Sequence, residues 1–541
     1  MVTATVFEAF CRSAARYPNH DFLCIIPETA VRYGIEAQTF SYERASREVT
    51  GLAERYGQAG LGHGQRVGLM LDNRPDMFFH WLALNSIGVS VVPLNSDWRA
   101  AELEYVIGHS EMVAAIAPAR RRQEISAAAS RSGREVAVAL PSLPDLVKVA
   151  APASKDSRPD SSSECALLYT SGTTGQPKGC VLTNEYFLWA GTWYASLDSL
   201  CRLEEGAERL LTPLPMTHMN AMACSTMAMV LTGGCVIPLD RFHPATWWDS
   251  VALARATVIH YLGVIPAMLL GAPQSPADRA HSVRFGFGAG VSPRLHATFE
   301  DRFGFPLIEA WAMTETGAGA VVIANREPRK VGSACFGKPA ARVEYRIVTE
   351  QGSDALPTEH GELWVRSAGE RQQYGFFREY LKDPAATAEA WKGGYFHTGD
   401  IVFADEDGDL HFVDRKKNVI RRSGENISAV EVEGVILQHW AIGSVGVAAV
   451  PDEVRGDEVL ACIVLRNPVR EDELRSLARE LVDFCLARLA YFKAPGYVTF
   501  CNQLPLTATA KIQRAKLAEL ARRTLQEGRA IDLRAMKKRT A

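Results

Sequence analysis

From Arg66 onward the chain alternates short β-branched runs with amphipathic helical stretches, and this beat constrains its fold more than any other feature. "RVGLML" (66–71) precedes helical "PDMFFHWLALNSIG", then apolar "VSVVPL", helical "RAAELEYVIGH" and apolar "MVAAIAP". Apolar runs too short for a helix read as strands buried on both faces. Strands separated by helical segments close into a parallel sheet with crossover helices. The beat returns after 165 with "CALLYT", "RLLTPLP", "GCVIPLD", "TVIHYLG", "VRFGFGAG" and "PLIEAWA". Two doubly wound α/β halves are therefore expected, the second opening at "CALLYT".

Between the halves, "APASKDSRPDSSSE" (151–164) is rich in Ser, Pro and charge and reads as an exposed linker. From about 331 to 413 strand and turn patterns dominate, as in "ARVEYRIVTEQG" and "GELWVRS", which predicts a smaller β-rich part. Helical "SAVEVEGVILQHW", apolar "VGVAAV" and "VLACIVLR", and helical "EDELRSLARELVDFCLARL" follow, the pattern of a small α+β terminal domain. The division expected is 1–415 for a large N-terminal domain and 416–541 for a C-terminal one.

At 541 residues the chain exceeds one ordinary core, and its 47 % hydrophobic content excludes a mainly disordered protein. A net charge of -3 offers no electrostatic reason for nucleic acid or an anionic membrane as partner. The 11 cysteines are scattered, with no CxxC pair for zinc and no dense disulfide framework. The opening "MVTATVFEAFCRSAARYPNH" lacks a basic n-region and an uninterrupted apolar h-region, and no stretch approaches the roughly 18 apolar residues of a membrane span. A soluble cytoplasmic protein without membrane insertion, acting on small molecules, is the expectation. The basic tail "RAMKKRT" reads as a solvated end.

"YTSGTTGQPKG" (169–179) concentrates anion-binding chemistry. Gly172, Gly175 and Gly179 let the backbone approach a ligand and turn N–H groups toward it, Thr170, Ser171, Thr173 and Thr174 add hydroxyls, and Lys178 adds a cation. Donors without carboxylates suit a polyphosphate. The spacing departs from GxxxxGK[ST], which disfavours an ordinary P-loop. In "EAWAMTETG" (309–317), Thr314 offers a hydroxyl and Glu315 a carboxylate able to hold Mg2+ beside phosphate oxygens. "YFHTGD" ends in Asp400, whose acceptor-only carboxylate suits paired ribose hydroxyls. Each alone is equally a cap or a turn. Lys511, in "LPLTATAKIQR", alone is a surface charge.

Together, "YTSGTTGQPKG", "AWAMTETG", "YFHTGD", "FVDRKKNVIRRSGENIS" and "LPLTATAKIQR" stand in the order and at about the spacing of the adenylate-forming superfamily of acyl-CoA synthetases, peptide-synthetase adenylation domains and luciferases. The resemblance spans roughly residues 10 to 520. "PLPMTHMNAM", "FFREYLKDPAATAEAW" and "VDRKKNVIRRSGENISAVEVE" look most like the branch of crotonobetaine/carnitine CoA-ligase and similar small-acid CoA ligases.

The resemblance implies ATP, Mg2+ and coenzyme A as reactants alongside a carboxylic acid. The acid attacks the α-phosphorus, pyrophosphate leaves, and the thiol of CoA then displaces AMP from the acyl-adenylate. By the same resemblance Lys511 bridges the acid carboxylate and the α-phosphate. Thr170, Ser171, Gly172, Thr173, Thr174 and Lys178 hold the β- and γ-phosphates, Thr314 touches the α-phosphate and Glu315 the magnesium. Gly288, Ala289, Gly290 and Trp311 border adenine, with Phe412 beside them or simply a strand residue. Asp400 and Arg415 hold the ribose. Lys417 matches the hinge about which a mobile C-terminal domain alternates between half-reactions. Gly424 and Glu425, with Asn426, shape the pantetheine tunnel, and Lys493 is a weaker candidate for the CoA phosphates. His218, Met222 and Thr316 line the acid pocket, with Trp189 and Tyr194 as further lining or core.

Three departures bear on the pocket and the lysine loop. Trp311 stands where the family more usually has Tyr, Ala312 replaces a glycine, and Ala510 replaces the glycine before Lys511. The bulkier wall favours a small or medium acid. A freestanding enzyme loading an acyl carrier protein, and a non-catalytic nucleotide-binding homologue, are the alternatives. Similar enzymes are commonly homodimers.

Overall fold

The computed structural model describes residues 4–98, 100–142, 149, 157–170, 177–416, 419–422, 425–452, 456–489, 491–507 and 511–537. The chain divides into two compact units. Met1–Gly172, Gln176–Tyr345 and Val365–Phe396 form one, and Arg346–Trp364 and His397–Ala541 belong to the other. Residues 346–364 and 397–415 thus group with the C-terminal part, a different cut from that suggested by the motif at 415.

The first helix shows how local sequence sets local structure. In "VFEAFCRSAAR" (Val6–Arg16) the buried residues are Val6, Ala9, Phe10, Ser13 and Ala14, one apolar stripe at helical spacing. Thr5 caps its start by accepting the Glu8 N–H at 3.1 Å, with Glu8 in the first turn and Arg16 in the last, both favourable to the helix dipole. Phe10 packs against Phe22 and Tyr42 at ring separations of 5.1 and 6.0 Å. Each fully buried aromatic of this kind contributes about 1.5–3 kcal/mol.

Two sheets form the larger unit. One has eight strands in the order Val322–Ile323, Leu307–Trp311, Phe285–Ala289, Val258–Leu262, Arg209–Thr212, Cys235–Pro238, Asp21–Ile25 and Gln38–Ser41. Its six central strands are parallel and its two edges antiparallel. The other has seven, in the order Glu379–Tyr380, Lys178–Thr183, Glu164–Thr170, Ser90–Pro93, Arg66–Leu69, Ala114–Ile116 and Ala137–Ala139. The doubly wound α/β expectation holds, but one boundary is corrected: "CALLYT" pairs in parallel with Ser90–Pro93 through Val91 and Ala166, so it belongs to the sheet of the first half, which continues through Lys178–Thr183 and Glu379–Tyr380. Asp21–Ile25 in turn joins the second half beside Cys235–Pro238. Apolar runs identify strands buried on both faces without naming their neighbours.

In the smaller unit Phe396–Ala404 and Leu410–Arg415 are antiparallel, with Asp400 opposite Arg415. Beyond them lies a six-stranded sheet. Ile442–Asp452 pairs along its length with Gly456–Leu465, which runs parallel to Tyr497–Phe500. The helix Leu474–Leu486 buries Leu477, Ala478, Leu481, Val482 and Cys485, again a helical stripe. In the basic tail Arg534 and Ala535 are exposed but Lys537 is not, and 538–541 lie outside the described residues. Lys537 is buried, its ammonium held by Glu458 and, at 3.2 Å, by the Phe492 carbonyl, while Arg422 donates to the other Glu458 oxygen at 2.8 Å. Of the expected linker, 151–156 lies outside the described residues. Ser157 to Ser162 are exposed or half-buried, and Ser163 is buried against the Asp160 carboxylate. Among the described residues no helix is long and apolar enough to cross a membrane.

Candidate active site

The glycine-rich stretch joins two antiparallel strands rather than a strand and a helix: Thr170 stands opposite Lys178 and Tyr169 opposite Gly179. Ser171, Gly172, Thr173 and Thr174 lie outside the described residues, but both stems are anchored. Tyr105 donates its hydroxyl to the Pro177 carbonyl at 2.9 Å, and the Tyr169 hydroxyl lies 2.8 Å from Nδ1 of His109. Lys178 opens the return strand half-buried, with its ammonium over the ring of Tyr380 at 4.6 Å from the centroid.

The same Tyr380 donates its hydroxyl to Oε1 of Glu315 at 2.9 Å. Glu315 is buried at 7 % exposure, its carbonyl accepting the Phe377 N–H at 2.8 Å, and the Thr314 carbonyl accepts the Tyr186 hydroxyl at 2.8 Å. A buried carboxylate and a lysine thus sit on one tyrosine: Glu315 offers carboxylate oxygens of the kind that Mg2+ takes as ligands, and Lys178 the cation that polyphosphate takes. Tyr380 escaped the sequence reading because no local pattern joins it to residues so far back. Its signal was its place in "FFREYLKDPAATAEAW", which the resemblance picked out without assigning a residue.

Gly288 and Ala289 end the strand Phe285–Ala289 and Gly290 follows it; Gly288 is buried, and Ala289 and Gly290 are exposed. A side chain at Gly288 would meet the Tyr261 carbonyl at 2.3 Å, and Gly290 sits at φ +80°, so both positions require glycine. Glu309, also missed from sequence, fixes this ledge. Its buried carboxylate accepts Gly290 N–H at 2.8 Å, Val291 N–H at 3.1 Å and the Tyr261 hydroxyl at 2.6 Å. Burial raises its pKa, against the lowering effect of those donors. Trp311 is buried and packs on Phe336 at 6.2 Å.

Of the acid-pocket candidates, His218 is exposed and Met222 and Thr316 are fully buried. The Thr316 hydroxyl accepts the Met313 N–H at 2.9 Å, closing the turn that presents Thr314 and Glu315. Met222 lies in a π-helix, Asn220–Thr226, in which Ser225 and Thr226 donate to carbonyls five residues back. Such segments are uncommon and frequent at functional sites. Beneath it His260 is wholly buried, with Nδ1 2.7 Å from Asn220 Oδ1 and Nε2 3.0 Å from the Tyr194 hydroxyl. Burial pushes its pKa down to about 3, which keeps the imidazole neutral. Tyr194 is thus tied into the core. Trp189 donates to the Ala318 carbonyl at 3.1 Å.

In the smaller unit Asp400 is 1 % exposed and ion-paired with Arg415, so the two residues expected at the ribose meet each other. Gly399, at φ +68° within the strand Phe396–Ala404, donates its N–H to Glu362 at 3.0 Å. Phe412 is half-buried in the paired strand. Lys511 retains an exposed face. Protein packed around it, and then the charge of Arg415, lower its pKa below the ordinary lysine value. Thr507 holds its N–H at 3.1 Å. Lys493 is ion-paired with Glu431 at 2.7 Å. Lys417, Gly424 and Ala510 lie outside the described residues. Glu425 is described only as part of the strand Glu425–Ser428.

Residues 10–381 match the model of the AMP-binding enzyme family, and residues 431–511 match that of the AMP-binding enzyme C-terminal domain. The chain is 30 % identical over 504 residues to the crotonobetaine/carnitine–CoA ligase of Salmonella arizonae, covering 89 % of this chain and 93 % of that one. It is similar to the o-succinylbenzoate CoA synthetase of Bacillus subtilis solved with its acyl-adenylate intermediate, at a TM-score of 0.78 and 25 % identity, over 94 % of this chain and 97 % of that one. The same synthetase solved with ATP and a magnesium ion matches with a TM-score of 0.77 and 25 % identity, over 94 % and 98 % of the two chains. The chain therefore belongs to the AMP-binding enzyme family, as an AMP-forming acyl-CoA synthetase.

Proposed function

We propose that this enzyme activates a small or medium-sized carboxylic acid with Mg-ATP and passes the acyl group to CoA. The observation that carries this reading is the meeting of Glu315 and Lys178 on Tyr380, which puts a carboxylate fit for Mg2+ beside a cation fit for polyphosphate. Two anions must meet when the acid attacks the α-phosphorus, so positive charge at the developing transition state is the largest catalytic contribution. In this reading the 170–178 loop and Lys178 hold the departing pyrophosphate, Thr314 the α-phosphate and Glu315 the metal. Adenine takes the ledge of Gly288, Ala289 and Gly290 beside Trp311, Asp400 and Arg415 take the ribose, and Lys511 joins acid and α-phosphate. Thiol transfer then uses the 419–428 strands, with Gly424 and Glu425 at the tunnel and Lys417 as the hinge of a domain beginning near 416.

The acid sits among His218, Met222 and Thr316, and the buried Trp311 beside Phe336 supports a short pocket. The relative active on crotonobetaine and carnitine supports a compact polar acid of that size. The test is a pyrophosphate-release screen across carboxylic acids with CoA, with carrier-bound phosphopantetheine, and with neither. Release confined to long-chain acids would overturn the assignment of size, and thioester formed only on a carrier protein would replace CoA as acceptor.

A further inference from the structure

Opposite charges in a buried setting ordinarily collapse onto each other, yet Glu315 and Lys178 do not pair. Among the described residues no ion pair joins them, and Tyr380 stands between. Its hydroxyl donates to the Glu315 carboxylate at 2.9 Å and its ring face receives the Lys178 ammonium at 4.6 Å. Tyr380 is itself held on several sides. It is 8 % exposed, its strand pairs with Lys178–Thr183 so that Tyr380 faces Cys180, and Leu381 donates to the Gly179 carbonyl at 2.8 Å. The Tyr380 N–H is taken by Thr387 Oγ1 at 3.0 Å, and Phe377 packs on the ring at 4.7 Å. The return strand of the phosphate loop, the Glu315 turn and the Tyr380 strand are thereby one hydrogen-bonded block. A direct Glu315–Lys178 ion pair would use up both the oxygen that a divalent cation needs and the charge that a phosphate needs.

We propose that Tyr380 is a positioning residue of the adenylation centre: it separates and orients Glu315 and Lys178, so that the carboxylate stays available to the metal and the ammonium to the polyphosphate. This rests on the reading that these two residues receive Mg-ATP. Two variants of the full chain divide the roles. Tyr380→Phe keeps the ring and loses the hydroxyl, and Tyr380→Leu loses both.

The experiment measures Mn2+ binding in the presence of ATP by electron paramagnetic resonance. It also measures the Mg2+ requirement and the KM values for ATP and acid in acid-dependent ATP/pyrophosphate exchange, with thermal unfolding as the fold control. Tyr380→Phe is expected to weaken Mn2+ binding and raise the Mg2+ requirement by roughly tenfold, the worth of a hydrogen bond to a charged group, with the KM for acid unchanged. Tyr380→Leu is expected to add a several-fold rise in the KM for ATP, the worth of a partly buried cation–π contact. Metal binding by Tyr380→Phe equal to that of the parent would overturn the proposal, as would parallel losses in the constants for acid and ATP, which mark a structural residue only. Glu315→Gln separates this proposal from its premise: unchanged metal dependence in that variant sinks the Mg-ATP reading of the site. A Glu315→Gln defect beside a normal Tyr380→Phe sinks the role of Tyr380 alone.

Discussion

Glu309 accepts the backbone N–H of Gly290 at 2.8 Å through a carboxyl group that is itself buried, so a buried side chain holds the exposed ledge proposed for adenine. The Val291 N–H and the Tyr261 hydroxyl complete its partners. Glu309→Ala leaves the Gly290 and Val291 N–H groups unsatisfied and the Tyr261 hydroxyl with only its longer bond to the Ile308 carbonyl at 3.3 Å, and is expected to cost about 2–5 kcal/mol of stability and to raise the KM for ATP more than that for the acid. Glu309→Gln keeps the shape and should fall between the two. Equal KM values for ATP in parent and variants would show that the ledge does not depend on this anchor.

Lys511 works as a cation in the proposed adenylation step, and its pKa lies below the ordinary 10.5 because burial and the Arg415 charge both disfavour the protonated form. As pH rises through that lowered value the ammonium is lost, so exchange activity should decline on the alkaline side before a free lysine would titrate. Arg415→Met removes the repelling charge and should move the decline to higher pH, measured relative to its own maximum. Lys511→Ala is expected to keep ATP binding and lose roughly a hundredfold or more of acid-dependent exchange. An alkaline limb indifferent to Arg415 would detach it from Lys511.

His260 stays neutral in the fold, its pKa pushed to about 3 by burial against an ordinary 6.5. Between those values the unfolded chain binds a proton that the folded chain refuses, so stability falls as pH drops through about 6.5 and its loss is complete near about 3. His80, lowered to about 4 by its own burial, acts in the same direction. His260→Gln should flatten part of this acid slope in urea titrations and cost about 1–3 kcal/mol at neutral pH. An acid slope identical to that of the parent would refute the assignment to His260.

Glu458 carries two buried cations, Arg422 and Lys537. Removing the carboxylate takes the shared counter-charge from both buried cations, whereas removing Lys537 leaves Arg422 and Glu458 as a neutral pair and takes one donor from the Phe492 carbonyl. Glu458→Gln is therefore expected to cost about 3–5 kcal/mol and Lys537→Met only about 1–2 kcal/mol. Urea unfolding followed by a probe in the 416–537 region measures both. The reverse order would contradict the buried triad.

Much of the site was legible because its chemistry is written in short stretches. Glu315, Asp400 and Lys511 each stand in a short motif, and the motifs taken together in order carried the resemblance that implies for them a metal, a ribose and a bridging charge. Glu309 stands only six residues before Glu315 in the same stretch, yet read as strand, since nothing local reveals that its carboxylate turns back to Gly290. The tail read as solvated for the same reason: a basic run has no visible partner until Glu458 is brought against Lys537.

By itself the sequence determined the main element types and the parallel α/β architecture, and its motifs carried the resemblance from which the adenylation residues are proposed. Helical and strand periodicities, and the donors a loop can offer, are properties of neighbouring residues. Tertiary structure alone decided that "CALLYT" lies beside Ser90–Pro93, that Asp21–Ile25 crosses to Cys235–Pro238, and that Tyr380 stands between Lys178 and Glu315. Strand partners and charge neighbours are selected by burial across distant segments, and a buried charge takes its behaviour from whatever the fold packs against it.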